Sequence, residues 1–180
     1  MSRRATVVFS VAITLALLCQ RVGAQLTQTQ EVYEQAINAL FREDVDVRRP
    51  HVLYVFKSSA TLERLPDTSY QARQWDRTGS RTRWGDVPRQ LRDSLHEILS
   101  RGRALVVNTL LPGVQWRDDK DYAGIVLSVS SVAFAPDTSH AVVYVAVHCG
   151  PICGGADIIF LRKAPSGRWE VAATFPIWRS

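Results

Sequence analysis

Apolar residues first take up a helical rhythm in TQTQEVYEQAINALFRE (27–43), where Val32, Tyr33, Ala36, Ile37, Leu40 and Phe41 recur at three- and four-residue steps. That spacing makes one apolar stripe of an amphipathic helix, with Glu31, Glu34 and Gln35 off it. Thr27 or Thr29 is placed to cap its start. HVLYVFKS (51–58) then changes character: β-branched and aromatic residues crowd together, which predicts a strand. Residues 64–85 are polar and broken by Pro66, Gly79 and Gly85, a stretch too long for an ordinary connection. The helical period returns in DVPRQLRDSLHEILSRG (86–102), with Leu91, Leu95, Ile98 and Leu99 as the stripe. Asp86 is expected to cap this helix, Pro88 to sit in its first turn and Gly102 to stop it.

From residue 104 onward the pattern is that of strands. ALVVNTLL (104–111) reads as one strand, DDKDYAG (118–124) as a polar turn, and IVLSVSSVAF, AVVYVAVHC, ADIIFLRK and RWEVAATF as four more. The short spacers APDTSH and APSG, and the cysteine loop between them, join antiparallel neighbours. The expected fold is α+β: two amphipathic helices covering one face of an antiparallel sheet that ends in a four-stranded meander over 124–180.

The C-terminal stretch carries a resemblance. Its marks are Leu127-Ser128 ahead of a strand, Ala141 to Val145, the Cys-Gly-x-x-Cys-Gly turn, Gly167-x-Trp169-x-Val171 and Trp178-x-Ser180. In these the last third resembles a group of exported bacterial proteins of unknown function, a likeness that brings no activity with it. More distantly, the helix-first order and the Trp-x-Val ending are similar to NTF2-like and cystatin-like domains, which bears on fold alone.

The first residues alter the accounting. Arg3 and Arg4 precede an uncharged, mostly apolar run from Ala5 to Leu18, and Val22-Gly23-Ala24 offers small side chains for cleavage. This is the layout of a signal peptide over 1–24, with Gln25 opening a single mature domain, 25–180. The run is too short to span a bilayer, which takes about 20 apolar residues. Leu18 before Cys19 argues against a lipoprotein. Three of the 22 basic residues leave with the leader and none of the 17 acidic ones, so the net charge falls from +5 to +2. A chain so nearly neutral is not expected to bind nucleic acid or an anionic membrane surface, and with the leader cleaved no stable membrane anchor is expected. Its predicted location is the periplasm or the exterior, and its partner a protein or small molecule of the cell envelope.

Cys149 and Cys153, the two cysteines left after cleavage, sit in HCGPICGG (148–155). Three chemistries fit such a pair. As a staple, they would face one another across a hairpin, within disulfide reach. As a redox centre, one thiol would need a helix N-terminus to lower its pKa, and GGADIIFLR predicts a strand instead. As a metal clip, His148 would join the two thiolates, yet alternation along a strand turns His148 and Cys149 to opposite faces. The staple is the expected reading.

Other chemistry is thinner. Arg73, Trp75, Arg77, Arg81, Arg83 and Trp84 interleave cations with aromatics in the long loop, which makes them the candidate binding residues. Asp118, Asp119 and Asp121 lack the spaced oxygens and central glycine of a calcium loop. Trp169, Val171, Phe175 and Ile177 are expected on one strand face as core. His96 and Glu97 diverge around a helix and form no catalytic pair. No nucleophile elbow, zinc-protease, phosphate-loop or dinucleotide motif occurs, and no cofactor is expected. The expected function is therefore an exported, non-enzymatic binding or accessory protein. A ligand-binding or enzymatic pocket of NTF2-like type, and a periplasmic thiol-redox or copper protein, are the alternatives.

Overall fold

The computed structural model describes residues 27–41, 53–56, 65–75, 81–101, 114–117, 126–148 and 153–179. The leader expected over 1–24, Gly102, the strand expected over 104–111 and the polar turn expected at 118–124 lie outside them. Helix α1 covers 27–41. In chain order follow β1 (Leu53–Phe56), β2 (Gln71–Trp75), β3 (Arg81–Arg83), α2 (Arg89–Arg101) and β4 (Val114–Arg117). Then come β5 (Val126–Val129), β6 (Ala133–Phe134), β7 (His140–His148), β8 (Gly154–Lys163) and β9 (Trp169–Arg179). No helix among the described residues is long and apolar enough to cross a membrane.

The large sheet has the order β4-β1-β5-β7-β8-β9, with β6 also paired to β7. It is mixed rather than purely antiparallel. Strands β5, β7, β8 and β9 alternate in direction, but β1 runs parallel to both of its neighbours, β4 and β5. The physical reason lies in the connection: α2 and the β2–β3 pair fall between β1 and β4, and a parallel neighbour needs a crossover of that length. The expected meander is therefore seen in part. Its first strand is split into β5 and β6 by an extra residue around 130–132, which shifts the pairing against β7.

That irregularity is well satisfied. Ser130 is buried; its N–H donates to the Tyr144 carbonyl at 2.9 Å, and its Oγ accepts the Tyr144 N–H at 3.0 Å. Tyr33 of α1 donates its buried hydroxyl to the Ser130 carbonyl at 2.9 Å. Burial pushes the Tyr33 phenol well above its ordinary value, so it remains a donor at every physiological pH.

The helices do not share one face of the sheet. Val32, Tyr33, Ala36, Ile37 and Leu40 of α1 pack on Leu127, Val143, Val145, Ile159 and Trp169. On the opposite face Leu91, Leu95 and Leu99 of α2 pack with Val142, Tyr144, Ile158, Ala173 and Phe175. Odd-numbered residues of β7 thus face α1 and even-numbered ones face α2, which is why Ala141 to Val147 are all buried. A strand covered on both sides is a continuous apolar run, and AVVYVAV is one.

Two further expectations are corrected. Trp169 and Val171 belong to the α1 side but Phe175 and Ile177 to the α2 side, because β9 bulges at Ala172 between the pairs Leu161↔Val171 and Phe160↔Ala173. Asp86 does not cap α2: it ends a 3-10 turn, Trp84–Asp86, and its carboxylate accepts the Arg83 N–H at 2.7 Å. The Pro88 carbonyl accepts the first α2 amides instead, from Leu91 and Arg92.

Strand β9 ends the large sheet, and an exposed edge invites foreign strands. Here it carries bulges at Ala172 and Ile177, a proline at 176, and the β2–β3 hairpin packed beside it. The Tyr70 hydroxyl donates to the Pro176 carbonyl across that seam.

Candidate functional site at the open end of the sheet

Burial along the central strands gives way at both ends, at His140 and Arg162 on one side and at His148 and Gly154 on the other. Ser128, His148, Cys153, Gly154 and Trp178 are all partly exposed, whereas Ala141–Val147 and Gly155–Leu161 are buried without a break. Register brings them together: His148 pairs with Val126 on β5 and with Gly154 on β8, Ser128 with Ala146, and Trp178 with Ala156. Alternation then puts Ser128, His148 and Gly154 on the α2 face, and Trp178 packs with the core on that side. Helix α2 itself lies against β7 and β6, and β6 pairs with the far end of β7 at Ala141 and Val142.

The paired glycines of GGADIIFLR explain how this corner is filled. A Cβ on Gly154 would stand 3.1 Å from Cη2 and 3.2 Å from Cζ3 of Trp178, so the indole rests where a side chain would otherwise be. A Cβ on Gly155 would meet Arg179 Cδ at 2.7 Å on the other face. Two bare positions on β8 therefore seat two successive residues of β9, one on each side of the sheet. This is a packing role, not the turn role that a Gly-Gly pair suggests in sequence.

The indole is held in place. Trp178 Nε1–H donates to the Tyr144 hydroxyl at 3.3 Å, and the Trp178 and His148 rings lie 5.8 Å apart at a 44° tilt. Ser128 Oγ and His148 Nε2 are 3.4 Å apart, long for a hydrogen bond. Burial lowers the His148 pKa below its ordinary 6.5, which leaves the imidazole neutral at pH 7 with one donor and one acceptor nitrogen. Burial raises the Tyr144 pKa, the Trp178 N–H opposes that, and the Asp157 charge adds to it; the phenol stays protonated. The corner thus offers neutral hydrogen-bonding groups and an aromatic surface.

Next to it lies Cys153. His148↔Gly154 is the last pair of the β7–β8 ladder, and Cys153 directly precedes β8. Cys149 is outside the described residues; Cys153 is partly exposed and is not a free group. Strand β8 opens immediately after it, and among the described residues no helix begins beside Cys153 in the chain. His148 turns toward Ser128 and Trp178, which does not favour the metal alternative of Cys149, Cys153 and His148.

The basic-aromatic candidates fall into three groups. Arg73 and Trp75 lie on β2, and Arg77 is outside the described residues. Arg81 and Arg83 lie on β3, exposed, and Arg83 sits 3.7 Å from Asp86 as an ion pair. Trp84 is a correction: it is 1% exposed and meets Phe175 edge-on, ring centroids 5.2 Å apart. The expected long polar loop is in this part a small hairpin leading into the core. Two recesses are also present. One of about 180 Å³ is lined by Leu65, Pro66, Tyr70, Pro176 and Ile177, the other of about 240 Å³ by Glu97, Ile98, Arg101 and Ser131.

Sequence reasoning named His148 only as a companion of the cysteines, and Trp178 and Ser128 only as marks of resemblance. A usable signal was the lone serine in the apolar IVLSV, a polar residue inside a strand buried on both sides. Searches against models of protein families, curated proteins and solved structures gave no match for the chain.

Proposed function

We propose that the chain is an exported binding or accessory protein, not an enzyme, whose ligand meets the corner formed by Ser128, His148, Gly154 and Trp178. One observation carries this reading: both faces of the sheet are packed under helices, and at one of the two ends where the burial of β7 and β8 gives way these polar and aromatic groups converge from four strands. An NTF2-like pocket would need one sheet face left open, and α1 and α2 each occupy one. The Cys149–Cys153 pair closes the adjoining hairpin as a disulfide, a reading supported by the register and by Cys153 not being free. The leader sequence and the resemblance of the last third to exported bacterial proteins support export, with a mature chain starting at Gln25.

A fragment screen followed by two-dimensional amide NMR tests the site. Bound fragments should shift resonances of Ser128, His148, Gly154 and the Trp178 indole, and Trp178→Leu should abolish the effect. Shifts confined to the recess at Tyr70 and Ile177, or no shifts at any site, would overturn it.

A further inference from the structure

We infer that the other open end of the sheet binds inorganic phosphate, through His140 and Arg162. This site lies at the opposite end of β7 from the corner described above and does not rest on it.

The turn before β7 fixes a chain of three groups. Ser139 Oγ lies 2.7 Å from Asp137 Oδ1 and 2.7 Å from His140 Nδ1, and the Ser139 N–H donates to the same carboxylate oxygen at 3.0 Å. The Ser139 bonds, with a smaller pull from His140, hold the Asp137 carboxyl below its ordinary pKa, so at pH 7 it only accepts. Ser139 has one hydroxyl proton, and Asp137 takes it. The Ser139 oxygen therefore accepts from His140, and Nδ1 carries the imidazole proton. A neutral ring held this way presents Nε2 as a lone pair.

The main chain imposes this arrangement. Thr138 adopts φ +54, a left-handed conformation that β-branched residues rarely take. The Lys163 N–H donates to the Ser139 carbonyl at 2.8 Å, which ties the turn to the end of β8. The imidazole stacks on Phe160, ring centroids 5.4 Å apart and 5° from parallel. Strained residues of this kind collect at functional sites. Among the described residues nothing bonds to His140 Nε2.

Arg162 supplies the charge. It is the direct partner of His140 across β7–β8, so both side chains leave the same sheet face, and both are half-buried. Glu170, opposite Arg162 on β9, makes a contact of its own, and among the described residues no carboxylate forms an ion pair with Arg162. Lys163 points to the other face, over Trp169. On α2, Arg89 and Arg101 are matched within the helix by Asp93 and Glu97.

A cationic donor beside a hydrogen-bond acceptor selects an oxyanion that still carries a proton. Hydrogen phosphate offers both: charged oxygens for the guanidinium and a P–O–H for Nε2. Sulfate and carboxylates have no proton to give at neutral pH. A metal cation at Nε2 is opposed by the arginine.

The test is a titration of the mature protein with sodium phosphate at pH 7.5 and constant ionic strength, read by the ¹⁵N resonances of the His140 ring and Arg162 Nε. Sulfate, acetate and glycerol 2-phosphate are the comparisons. The expected result is saturable binding of phosphate, at least tenfold tighter than sulfate or acetate. The monoester has largely lost its last proton at this pH, its second pKa being about 6, so it should bind more weakly than inorganic phosphate. Arg162→Gln should weaken phosphate at least tenfold and His140→Ala at least fivefold, each with amide dispersion otherwise unchanged. Ser139 is a positioning residue: Ser139→Ala should release the ring to its Nε2–H tautomer, visible in the ring ¹⁵N shifts, and weaken phosphate several-fold. That variant keeps both contact residues and decides the matter should His140→Ala fail to fold. Sulfate or the monoester bound as tightly as phosphate, no shift at His140 or Arg162 with 20 mM phosphate, or unchanged affinity in Arg162→Gln would overturn the proposal.

Discussion

Arg179 grips Asp157 with one nitrogen: Nη2 donates to both carboxylate oxygens, at 2.7 and 2.9 Å. The other nitrogen, Nη1, donates to the Ala156 carbonyl at 3.0 Å and to that of Trp178 at 2.8 Å. Asp157 is 1% exposed on its side chain and Arg179 30%, so a buried carboxylate is held by a guanidinium that still touches water. Removing the arginine would strand the carboxylate. A fully buried pair broken this way costs ~3–5 kcal/mol. The partial exposure of Arg179 lets water replace some of that interaction, so Arg179→Ala should cost about 2 kcal/mol, and Asp157→Asn less because the amide still accepts. Urea unfolding measures both. A loss below about 0.5 kcal/mol for Arg179→Ala would show that the pair is idle.

Trp84 makes the second prediction. Its indole is buried with Ala72, Val87, Leu91 and Phe175, beneath a segment whose composition is that of a solvated loop. Trp84→Ala should cost ~3–5 kcal/mol, the usual range for emptying a large aromatic site. Arg81→Ala, exposed on β3, should change stability by about 0.5 kcal/mol or less. Replacing 64–85 with a flexible linker should therefore be ruinous. Tolerance of that replacement, seen as an unchanged melting temperature, would contradict the burial.

How far the fold was legible depends on the range of the interaction. Both helical stripes were legible, since Val32, Ile37, Leu91 and Leu95 need only a local period to declare their face. The strands β7, β8 and β9 and the turns before β7 and β9 were too: Asp137 accepts from the N–H and hydroxyl of Ser139, and Gly167 adopts φ +83. Two-sided burial was present in AVVYVAV, and assigning both helices to one face overlooks it. The bulge at Ala172 was not legible, because nothing in EVAATF distinguishes a residue that pairs from one that does not. Trp84 was hidden for a similar reason: its neighbours in sequence are polar, and only the approach of Phe175 in space explains it. The corner draws Ser128, His148, Gly154 and Trp178 from four strands, so no spacing along the chain could have assembled it.

The cysteine pair is a separable matter. If Cys149 and Cys153 close the hairpin, purified protein should resist thiol labelling until reduced. Replacing both by serine should then cost on the order of 2 kcal/mol, the entropy of closing so small a loop. The same double variant should keep the Trp178 indole resonance in place, since Gly154 and Tyr144 hold the ring independently. Rapid labelling without reductant would instead reveal open thiols and revive the redox and metal readings.

The last prediction concerns acid. Burial sets the His148 imidazole below its ordinary 6.5, so the unfolded chain takes up a proton at a pH where the folded chain still refuses it. Wherever the unfolded state binds more protons, stability rises with pH. His148 therefore contributes stability that is whole above about pH 6.5 and is lost as pH falls through the folded-state value. Urea midpoints from pH 8 to pH 5 should drop more steeply for the wild type than for His148→Gln, which cannot titrate. His51, His96 and His140 are common to both proteins, so the difference belongs to His148. Its C2 proton should titrate below 6.5 in the folded state. Steeper loss in the variant would mean that the imidazolium, not the neutral ring, is the favoured occupant, and that a carboxylate faces it.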